Sequence, residues 1–177
     1  MDQSEMMALI RAGVPAVPGI WADLGAGTGN FTRALATLLR PPSTIYAIDR
    51  DARAVASQQH ASGAAPGIAI LPRQADITRP LELPALDGLL MANVLHFLRT
   101  PALGQLASYL SPSGRMLIVE YAVEQPQLWI PFPVPLTRLV QLATAAGLPR
   151  PQLIGQRRSP SSGISMYAAT IQPAAPA

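Results

Sequence analysis

Residues 21–30 read WADLGAGTGN, where an apolar segment ends in Asp23 and three glycines follow with the spacing G-x-G-x-G. Residues 31–36, FTRALA, then read as the start of a helix. Glycines at such a turn let the backbone bend sharply and let a ligand approach more closely than a Cβ would allow. A second apolar run ends at Asp49. A glycine turn after one strand and an acid after the next form the nucleoside-binding pattern of doubly wound α/β folds.

The spacing of the glycines separates two kinds of cofactor. A dinucleotide fingerprint, G-x-G-x-x-G, would place its third glycine at position 30, where this chain has Asn30, and the third glycine is Gly29 instead. The acidic side chain of Asp23 would repel a pyrophosphate but would attract a cationic group. The pattern therefore favours a ligand with an amino or sulfonium group, and a nicotinamide-dependent oxidoreductase is the less favoured alternative.

Residues 23–29, DLGAGTG, resemble the first motif of the class I S-adenosylmethionine-dependent methyltransferases, an acid followed by x-G-x-G-x-G. The resemblance covers residues 18–172. It implies methyl transfer as the activity and S-adenosylmethionine as the cofactor. It also implies a doubly wound α/β fold with a seven-stranded, mostly parallel sheet, helices on both faces and a C-terminal antiparallel hairpin.

The order of apolar runs and breakers predicts five β-α units followed by a hairpin. Predicted strands cover residues 20–24, 44–48, 68–71, 86–92, 115–121, 152–156 and 165–171. Predicted helices cover residues 2–12, 31–39, 51–62, 101–110 and 136–146. Residues 74–77 read as a loop, and residues 111–114 and 159–163 read as turns. Outside these elements lie a short N-terminal cap (1–18), a proline-rich lid or insertion (122–135) and a loose tail (173–177).

Composition indicates one globular domain, residues 1–177, without a membrane span. A chain of 177 residues can form one well-buried core, and its apolar runs are shorter than the roughly 20 residues that a membrane helix needs. The N-terminus lacks the basic flank and long apolar centre of a secretory signal. There is no cysteine for disulfides or thiolate metal sites. We therefore expect a cytoplasmic protein without a metal site.

The basic side chains give no indication of nucleic-acid binding. All 13 are arginines, only Arg157 and Arg158 are adjacent, and aromatic residues make up 5% of the chain. Nucleic-acid binding favours a basic stripe interleaved with aromatic residues. We therefore expect solvated surface arginines and no nucleic-acid partner.

The predicted cofactor site lies where the strands end, because ligands of open parallel sheets bind at the carboxyl ends of the strands. Backbone amides of the glycine turn would reach the amino-acid portion of the cofactor. The resemblance implies that Asp49 accepts hydrogen bonds from the ribose hydroxyls, with capping of the next helix as the alternative. The predicted cofactor-binding residues are Asp23, Gly25, Ala26, Gly27, Gly29, Asp49, Arg50, Ala75, Asp76, Ile77 and Asn93.

Three residues of that set have roles that only the resemblance implies. Asp76 would face the adenine amino group, although an exposed loop aspartate is the alternative. Ile77 would pack on the adenine ring, and Asn93 would offer its backbone carbonyl to the amino group of the cofactor.

Residues 92–97, ANVLHF, resemble the segment that small-molecule methyltransferases carry after the fourth strand. The Asn/Asp-Pro-Pro-aromatic signature of amino-group nucleic-acid methyltransferases is absent, so the sequence predicts a small-molecule acceptor. His96 is the best-placed candidate for a general base, because imidazole titrates near neutrality. The alternative is a packed histidine with a structural role. Tyr121, at the end of the fifth strand, is expected to line the acceptor pocket.

The proline-rich segment 122–135 is unusually apolar for a loop. Prolines at alternate positions stiffen it, and Trp129 and Phe132 are predicted to cover an apolar or aromatic acceptor. The segment could instead pack over the sheet edge or against a second subunit, so a homodimer is a further expectation. The short N-terminal cap leaves little material for an acceptor pocket. A methyltransferase-like protein that binds without catalysis is therefore the second alternative.

Overall fold

The computed structural model describes residues 1–60, 66–158 and 163–173, and of His60 only the backbone. Its centre is a seven-stranded sheet in the order β3-β2-β1-β4-β5-β7-β6. Only β7 runs antiparallel to its neighbours β5 and β6. The strands are β1 (Ile20–Leu24), β2 (Ser43–Asp49), β3 (Ile68–Gln74), β4 (Leu86–Ala92), β5 (Leu110–Tyr121), β6 (Gln152–Arg158) and β7 (Ser165–Ile171). The predicted doubly wound α/β fold with its C-terminal antiparallel hairpin is confirmed.

Five α-helices accompany the sheet in the described part of the chain. They are α1 (Gln3–Ile10), α2 (Asn30–Leu38), α3 (Ala52–His60), α4 (Leu103–Ala107) and α5 (Leu136–Ala145). Short 3-10 helices cover Arg11–Gly13 and Leu95–Phe97. None of the described helices is long and apolar enough to cross a membrane.

The two faces of the sheet carry separate apolar cores. Alternate residues of a strand point to opposite faces, so Trp21 joins the core under α1 and α2, while Ala22 joins the core under α4 and α5. Trp21 is fully buried and lies opposite Gly88 of β4. A Cβ on Gly88 would lie 2.4 Å from the indole, so only glycine fits beside this side chain.

The order of the strands creates one topological switch point. β1 pairs with β2 on one side and with β4 on the other, so the chain leaves the centre of the sheet in opposite directions. Crevices in such sheets open at the carboxyl ends of the strands beside that point. This is the edge at which the glycine turn follows β1.

The units between the strands differ from the predictions in two respects. The connection from β3 to β4 contains no helix, so the predicted count of five β-α units is wrong and there are four. Pro80 and Pro84 lie in this connection, and proline inside a helix removes a backbone donor and clashes with the preceding turn. The helix predicted over residues 101–110 is also shorter, since α4 covers only Leu103–Ala107.

Four strands are longer than predicted: β2 and β6 by two residues each, and β3 and β5 by more. β3 continues through Pro72 to Gln74, which proline permits because β3 is an edge strand. The predicted turn 111–114 lies inside β5, where the pairing with β4 shifts between Leu86 and Gly88. These residues form an irregularity within the strand and not a turn before it. The end of the predicted helix 51–62, most of the predicted turn 159–163 and most of the predicted tail 173–177 lie outside the described residues.

Candidate cofactor and acceptor site

Two cavities of about 340 Å³ each open at the switch point and share Gly25, Gly27 and Asn93. Cavity I is also lined by Met1, Met6, Asp23, Ala26, Thr28, Asn30, Phe31, Ala92, Tyr121 and Met166. Cavity II is also lined by Asp49, Arg50, Ala75, Asp76, Ile77, Thr78, Val94, Phe97 and Leu98. A single elongated ligand that crosses the glycine turn would therefore occupy both cavities.

The glycine turn is held in place by the end of β2. The backbone amides of Gly25 and Ala26 both donate to the carbonyl of Ile48, at 2.8 and 3.0 Å. Gly25 has φ +74°, and a Cβ there would lie 2.3 Å from a methyl group of Val94. Glycine is required at this position for its φ and for the close approach of the 93–97 segment.

Gly27 differs from Gly25 because its missing Cβ faces open space. Its φ is +54°, and apart from its two chain neighbours no atom of the described residues lies within 4 Å of the position that a Cβ would take. Because Gly27 lines both cavities, we infer that this space belongs to the ligand.

Gly27→Ala tests that inference, and Gly147→Ala is its matched control. Gly147 follows α5 with φ +69° and also has nothing within 4 Å of a Cβ, but it lines neither cavity. Each substitution should destabilise the fold by about 1 kcal/mol through its positive φ. Only Gly27→Ala should weaken the binding of S-adenosylhomocysteine in calorimetry, by about tenfold or more. Equal affinities for the two variants would refute the assignment of this space to a ligand.

Asp49 lines cavity II with its carboxylate already oriented. The backbone N–H of Gly27 donates to Oδ2 at 2.7 Å, and that of Asp51 donates to Oδ1 at 2.9 Å. Each oxygen keeps a second lone pair for a ligand hydroxyl. Asp51, directly before α3, accepts the capping bond from the N–H of Arg53 at 2.8 Å. The alternative role predicted for Asp49, capping of the next helix, is thus performed by Asp51.

Asp23 is a buried carboxyl group with one oxygen unpaired. Its side chain is 1% exposed, and the Thr32 hydroxyl donates to Oδ2 at 2.6 Å. No described group donates to Oδ1, which is sealed from solvent. Burial, together with the negative charge of Asp49, raises the pKa of Asp23 to about 7 although the bond from Thr32 opposes the shift. A cationic amino group in cavity I would satisfy Oδ1 and favour the ionised form.

Asn93, which lines both cavities, has a second unsatisfied polar atom. Its φ of +56° places it in the left-handed region, which asparagine tolerates better than most residues. The backbone N–H of Asn93 donates to the carbonyl of Val119 at 2.8 Å, which fixes the start of the loop after β4. The side-chain Oδ1 is buried and lacks a described partner. Two orphaned oxygens, one each on Asp23 and Asn93, indicate that this space suits a ligand with hydrogen-bond donors.

The far wall of cavity II comes from the loop after β3. The N–H of Ala75 donates to the carbonyl of Asp49 at 3.0 Å, so this loop is tied to the end of β2. Asp76 is exposed, and its Oδ1 accepts bonds from the N–H and hydroxyl of Thr78 at 2.9 and 2.7 Å. These bonds hold the pKa of Asp76 below its usual value, so the carboxylate stays ionised. Ile77 and Arg50 complete this wall.

His96 forms a buried pair with Glu120. The side chains are 2% and 0% exposed, and His96 Nδ1 lies 2.7 Å from Glu120 Oε2. The backbone N–H of His96 also donates to Glu120 Oε1, at 3.3 Å. Glu120 therefore fixes both the backbone and the ring of His96, and the carboxylate favours the tautomer with the proton on Nδ1. His96 lines neither cavity, but its ring centroid lies 5.8 Å from that of Tyr121, which lines cavity I.

The segment 122–135 lies against this pair. The N–H of Phe132 donates to the carbonyl of His96 at 3.0 Å, and the Tyr167 hydroxyl donates to the carbonyl of Val134 at 2.7 Å. The Trp129 ring meets Tyr121 edge-on, with centroids 5.0 Å apart at an angle of 87°. Trp129 remains 41% exposed, and neither Trp129 nor Phe132 lines cavity I or cavity II. The segment thus covers Tyr121 from outside.

The structure brings most of the predicted cofactor residues together. Cavity I is lined by Asp23, Gly25, Ala26, Gly27 and Asn93. Cavity II is lined by Asp49, Arg50, Ala75, Asp76 and Ile77, together with Gly25, Gly27 and Asn93. Gly29 lines neither cavity and instead precedes α2 with φ +81°.

Several lining residues were not predicted from the sequence. Met6 and Met166 reach cavity I from α1 and β7, and Phe97 reaches cavity II from the 3-10 helix after β4. The pairing of Glu120 with His96 was also missed; an acid directly after the apolar residues 116–119 marks Glu120 as unusual but does not identify its partner. Among the described residues, no group of three or more acidic, histidine or cysteine side chains could hold a metal ion.

The sheet order, the glycine turn and the acids near the carboxyl ends of β1 and β2 define a class I methyltransferase-like α/β protein. A profile of the methyltransferase domain family matches residues 22–116. The chain therefore belongs to the methyltransferase domain family and is an S-adenosylmethionine-dependent methyltransferase. This match supports the methyltransferase prediction over the nicotinamide-dependent oxidoreductase.

Solved structures with the same fold include three bacterial proteins. YcgJ of Bacillus subtilis superposes with a TM-score of 0.75 at 13% identity, covering 97% of this chain and 99% of that one. An S-adenosylmethionine-dependent methyltransferase of Aquifex aeolicus gives 0.69 at 16% identity, with 97% and 99% covered. The N-methyltransferase NodS of Bradyrhizobium japonicum, in complex with S-adenosylhomocysteine, gives 0.70 at 17% identity, with 97% and 85% covered. No curated protein matches the chain.

Proposed function

We propose that this enzyme transfers the methyl group of S-adenosylmethionine to a small-molecule acceptor in cavity I. The observation that carries the proposal is the unpartnered, buried Oδ1 of Asp23 beside a glycine backbone that joins two cavities. Bound S-adenosylmethionine supplies a methyl group already activated on a sulfonium. The chain has to hold the reactants in line and exclude water.

Each side of the site has a separate binding role. Asp23 holds the amino group of the cofactor, and Asp49 holds the ribose hydroxyls. Asp76, Ile77, Ala75 and Arg50 enclose the adenine end in cavity II. The backbone of Asn93 offers a further acceptor where the two cavities meet.

Two features favour a small-molecule acceptor. The part of cavity I beyond the glycine turn is walled by Met6, Phe31, Tyr121 and Met166, which suits a compact apolar or aromatic group. NodS and a glycopeptide N-methyltransferase, MtfA, share the fold at 17% and 15% identity. Both are named N-methyltransferases, so a nitrogen acceptor is one candidate among others.

The direct test is transfer of a tritiated methyl group from S-adenosylmethionine to a cell extract separated by dialysis. The proposal predicts label in the dialysable fraction. Label only in protein or nucleic acid would contradict the small-molecule acceptor. Binding of S-adenosylhomocysteine without label in any fraction would favour the non-catalytic alternative.

We further propose His96 as the general base, with Glu120 as the residue that positions it. Glu120 would hold the Nδ1 proton, leaving Nε2 to accept a proton from the acceptor. His96→Asn keeps a donor toward Glu120 but removes Nε2, and Glu120→Gln removes the negative charge. Both should lower kcat by about 100-fold, while the affinity for S-adenosylhomocysteine changes less than about twofold. A variant that folds and keeps the wild-type kcat would show that the histidine is structural.

Trp129→Ala tests the proposal that segment 122–135 covers the acceptor. We expect KM for the acceptor to rise about fivefold or more, because the edge contact that orders Tyr121 is lost. The affinity for S-adenosylhomocysteine should not change. Leu128→Ala is the matched control, since Leu128 is 101% exposed. Unchanged turnover and KM in Trp129→Ala would exclude a lid.

The remaining expectations on partners and location stay proposals. We propose that the protein acts in the cytoplasm without nucleic-acid or membrane partners, which the scattered arginines and lack of cysteine support. A homodimer through segment 122–135 is the alternative to a lid. Sedimentation of the wild type and of Trp129→Ala would distinguish the two, since only a dimer contact would shift the oligomeric state.

A further inference from the structure

We propose that the chain has a second binding site, for a phosphate group, between Arg115 and Arg150 at the end of the sheet opposite the cofactor site. A cavity of about 190 Å³ lies there. Its lining residues are Ala12, Arg115, Pro149, Arg150, Gln152, Ile154, Thr170 and Gln172. None of them lines cavity I or cavity II.

The sheet register separates this cavity from the cofactor site. Arg115 lies opposite Gly88, near the start of β4, whereas the cofactor cavities open beyond the carboxyl end of that strand. Thr170 lies near the end of the antiparallel β7, and Gln152 begins β6. The cavity thus lies at the edge of the sheet opposite the cofactor cavities, where β4 and β6 begin and β7 ends.

Close packing forms the floor of the cavity. A Cβ on Gly13 would lie 2.8 Å from Leu117, 2.9 Å from Ile154 and 3.0 Å from Thr170. Because Gly13 lacks a side chain, the 3-10 helix Arg11–Gly13 can approach the strands and place Ala12 on the cavity wall.

The two arginines are uncompensated in the described part of the chain. No acidic side chain lines the cavity, and neither guanidinium forms an ion pair or a hydrogen bond with a described residue. Arg115 Nε is sealed from solvent without a partner. Arg157, whose Nε is likewise sealed without a partner, pairs with Glu5, and Arg138 donates to the carbonyl of Pro133. Unlike Arg157, Arg115 has no acidic partner in the described part of the chain, so an anion in the cavity would supply the charge partner that its guanidinium lacks.

The chemistry of the lining favours a phosphate group. Two guanidinium groups match the charge of a phosphate dianion, and their planar forks suit its oxygens. Gln152, Thr170 and Gln172 also line the cavity and carry neutral donors for the remaining oxygens. A carboxylate would use fewer of these donors.

Titration with inorganic phosphate at constant ionic strength tests the proposal, with sodium chloride and sodium acetate as comparison salts. We expect saturable binding of phosphate in calorimetry and a rise in melting temperature that chloride does not produce. Arg150→Gln and Arg115→Lys should weaken phosphate binding by about tenfold and about threefold. Arg53→Gln, which removes an exposed charge on α3, should not.

Affinity for S-adenosylhomocysteine should be unchanged in all three variants, so the result does not depend on the proposed methyl transfer. A response to phosphate no larger than to chloride, or equal phosphate binding by Arg150→Gln and the wild type, would overturn the site. Tighter binding of acetate than of phosphate would overturn the ligand class. Arg150 is exposed and follows α5 in a loop, so loss of folding does not confound its variant.

Discussion

Asp49→Ala is expected to weaken the binding of S-adenosylhomocysteine by at least about 100-fold. Hydrogen bonds to a charged group contribute about 1.5–3 kcal/mol each, and the ribose offers two hydroxyls. The substitution also frees the N–H of Gly27, which now donates to Asp49 Oδ2 at 2.7 Å, and so loosens the turn between the cavities. Calorimetric titration of the folded variant measures the effect.

Asp51→Asn is the control for Asp49→Ala. Asp51 carries the same charge two residues later, but its carboxylate caps α3 and lines neither cavity. Asparagine caps helices about as well as aspartate. The control should therefore bind S-adenosylhomocysteine within about twofold of the wild type. An Asp49→Ala variant with wild-type affinity would contradict the proposal that Asp49 binds the ribose hydroxyls.

Asp23→Asn is expected to stabilise the ligand-free protein at pH 8 while it weakens cofactor binding. The pKa of Asp23 is raised from 3.8 to about 7 by burial, so the folded state resists ionisation. Below pH 4 the carboxyl group is protonated in both the folded and the unfolded chain. As the pH rises toward 7, only the unfolded chain ionises, so the free energy of unfolding falls. The wild type therefore carries a penalty of about 2–4 kcal/mol at pH 8 that the neutral asparagine avoids.

Denaturation at pH 4.5 and pH 8 measures the stability effect. The free energy of unfolding of Asp23→Asn should exceed that of the wild type at pH 8, and the difference should shrink at pH 4.5. Affinity for S-adenosylhomocysteine should fall by about 10- to 100-fold, because the amino group loses a charged partner. In the wild type the affinity should rise between about pH 6 and pH 8 as Asp23 ionises. A variant less stable than the wild type at pH 8 would contradict this account of Asp23.

The central part of the fold could be predicted because local signals and topology agree there. The glycine turn follows an apolar strand and precedes a helix, and that combination has few stable arrangements besides the doubly wound sheet. Asp23 and Asp49 lie near the carboxyl ends of adjacent strands, so their convergence on one edge follows from the strand order. The boundaries of β1, β4 and β7 were predicted correctly for the same reason.

Features that depend on long-range contacts could not be read from the sequence. His96 and Glu120 are 24 positions apart, and nothing local indicates that their side chains pair. The irregularity in β5 arises from pairing with β4, so residues 111–114 look like a turn when taken alone. Met6 joins the site only because α1 packs on the same face of the sheet as α2. In each case the deciding neighbour belongs to another element.

Parallel calorimetric titrations with S-adenosylhomocysteine and with NAD at pH 8 test the central claim most directly. We expect one molecule of S-adenosylhomocysteine to bind per chain with measurable heat, and NAD to give none. Absence of heat with S-adenosylhomocysteine on folded protein, or saturable binding of NAD at the same site, would contradict the account.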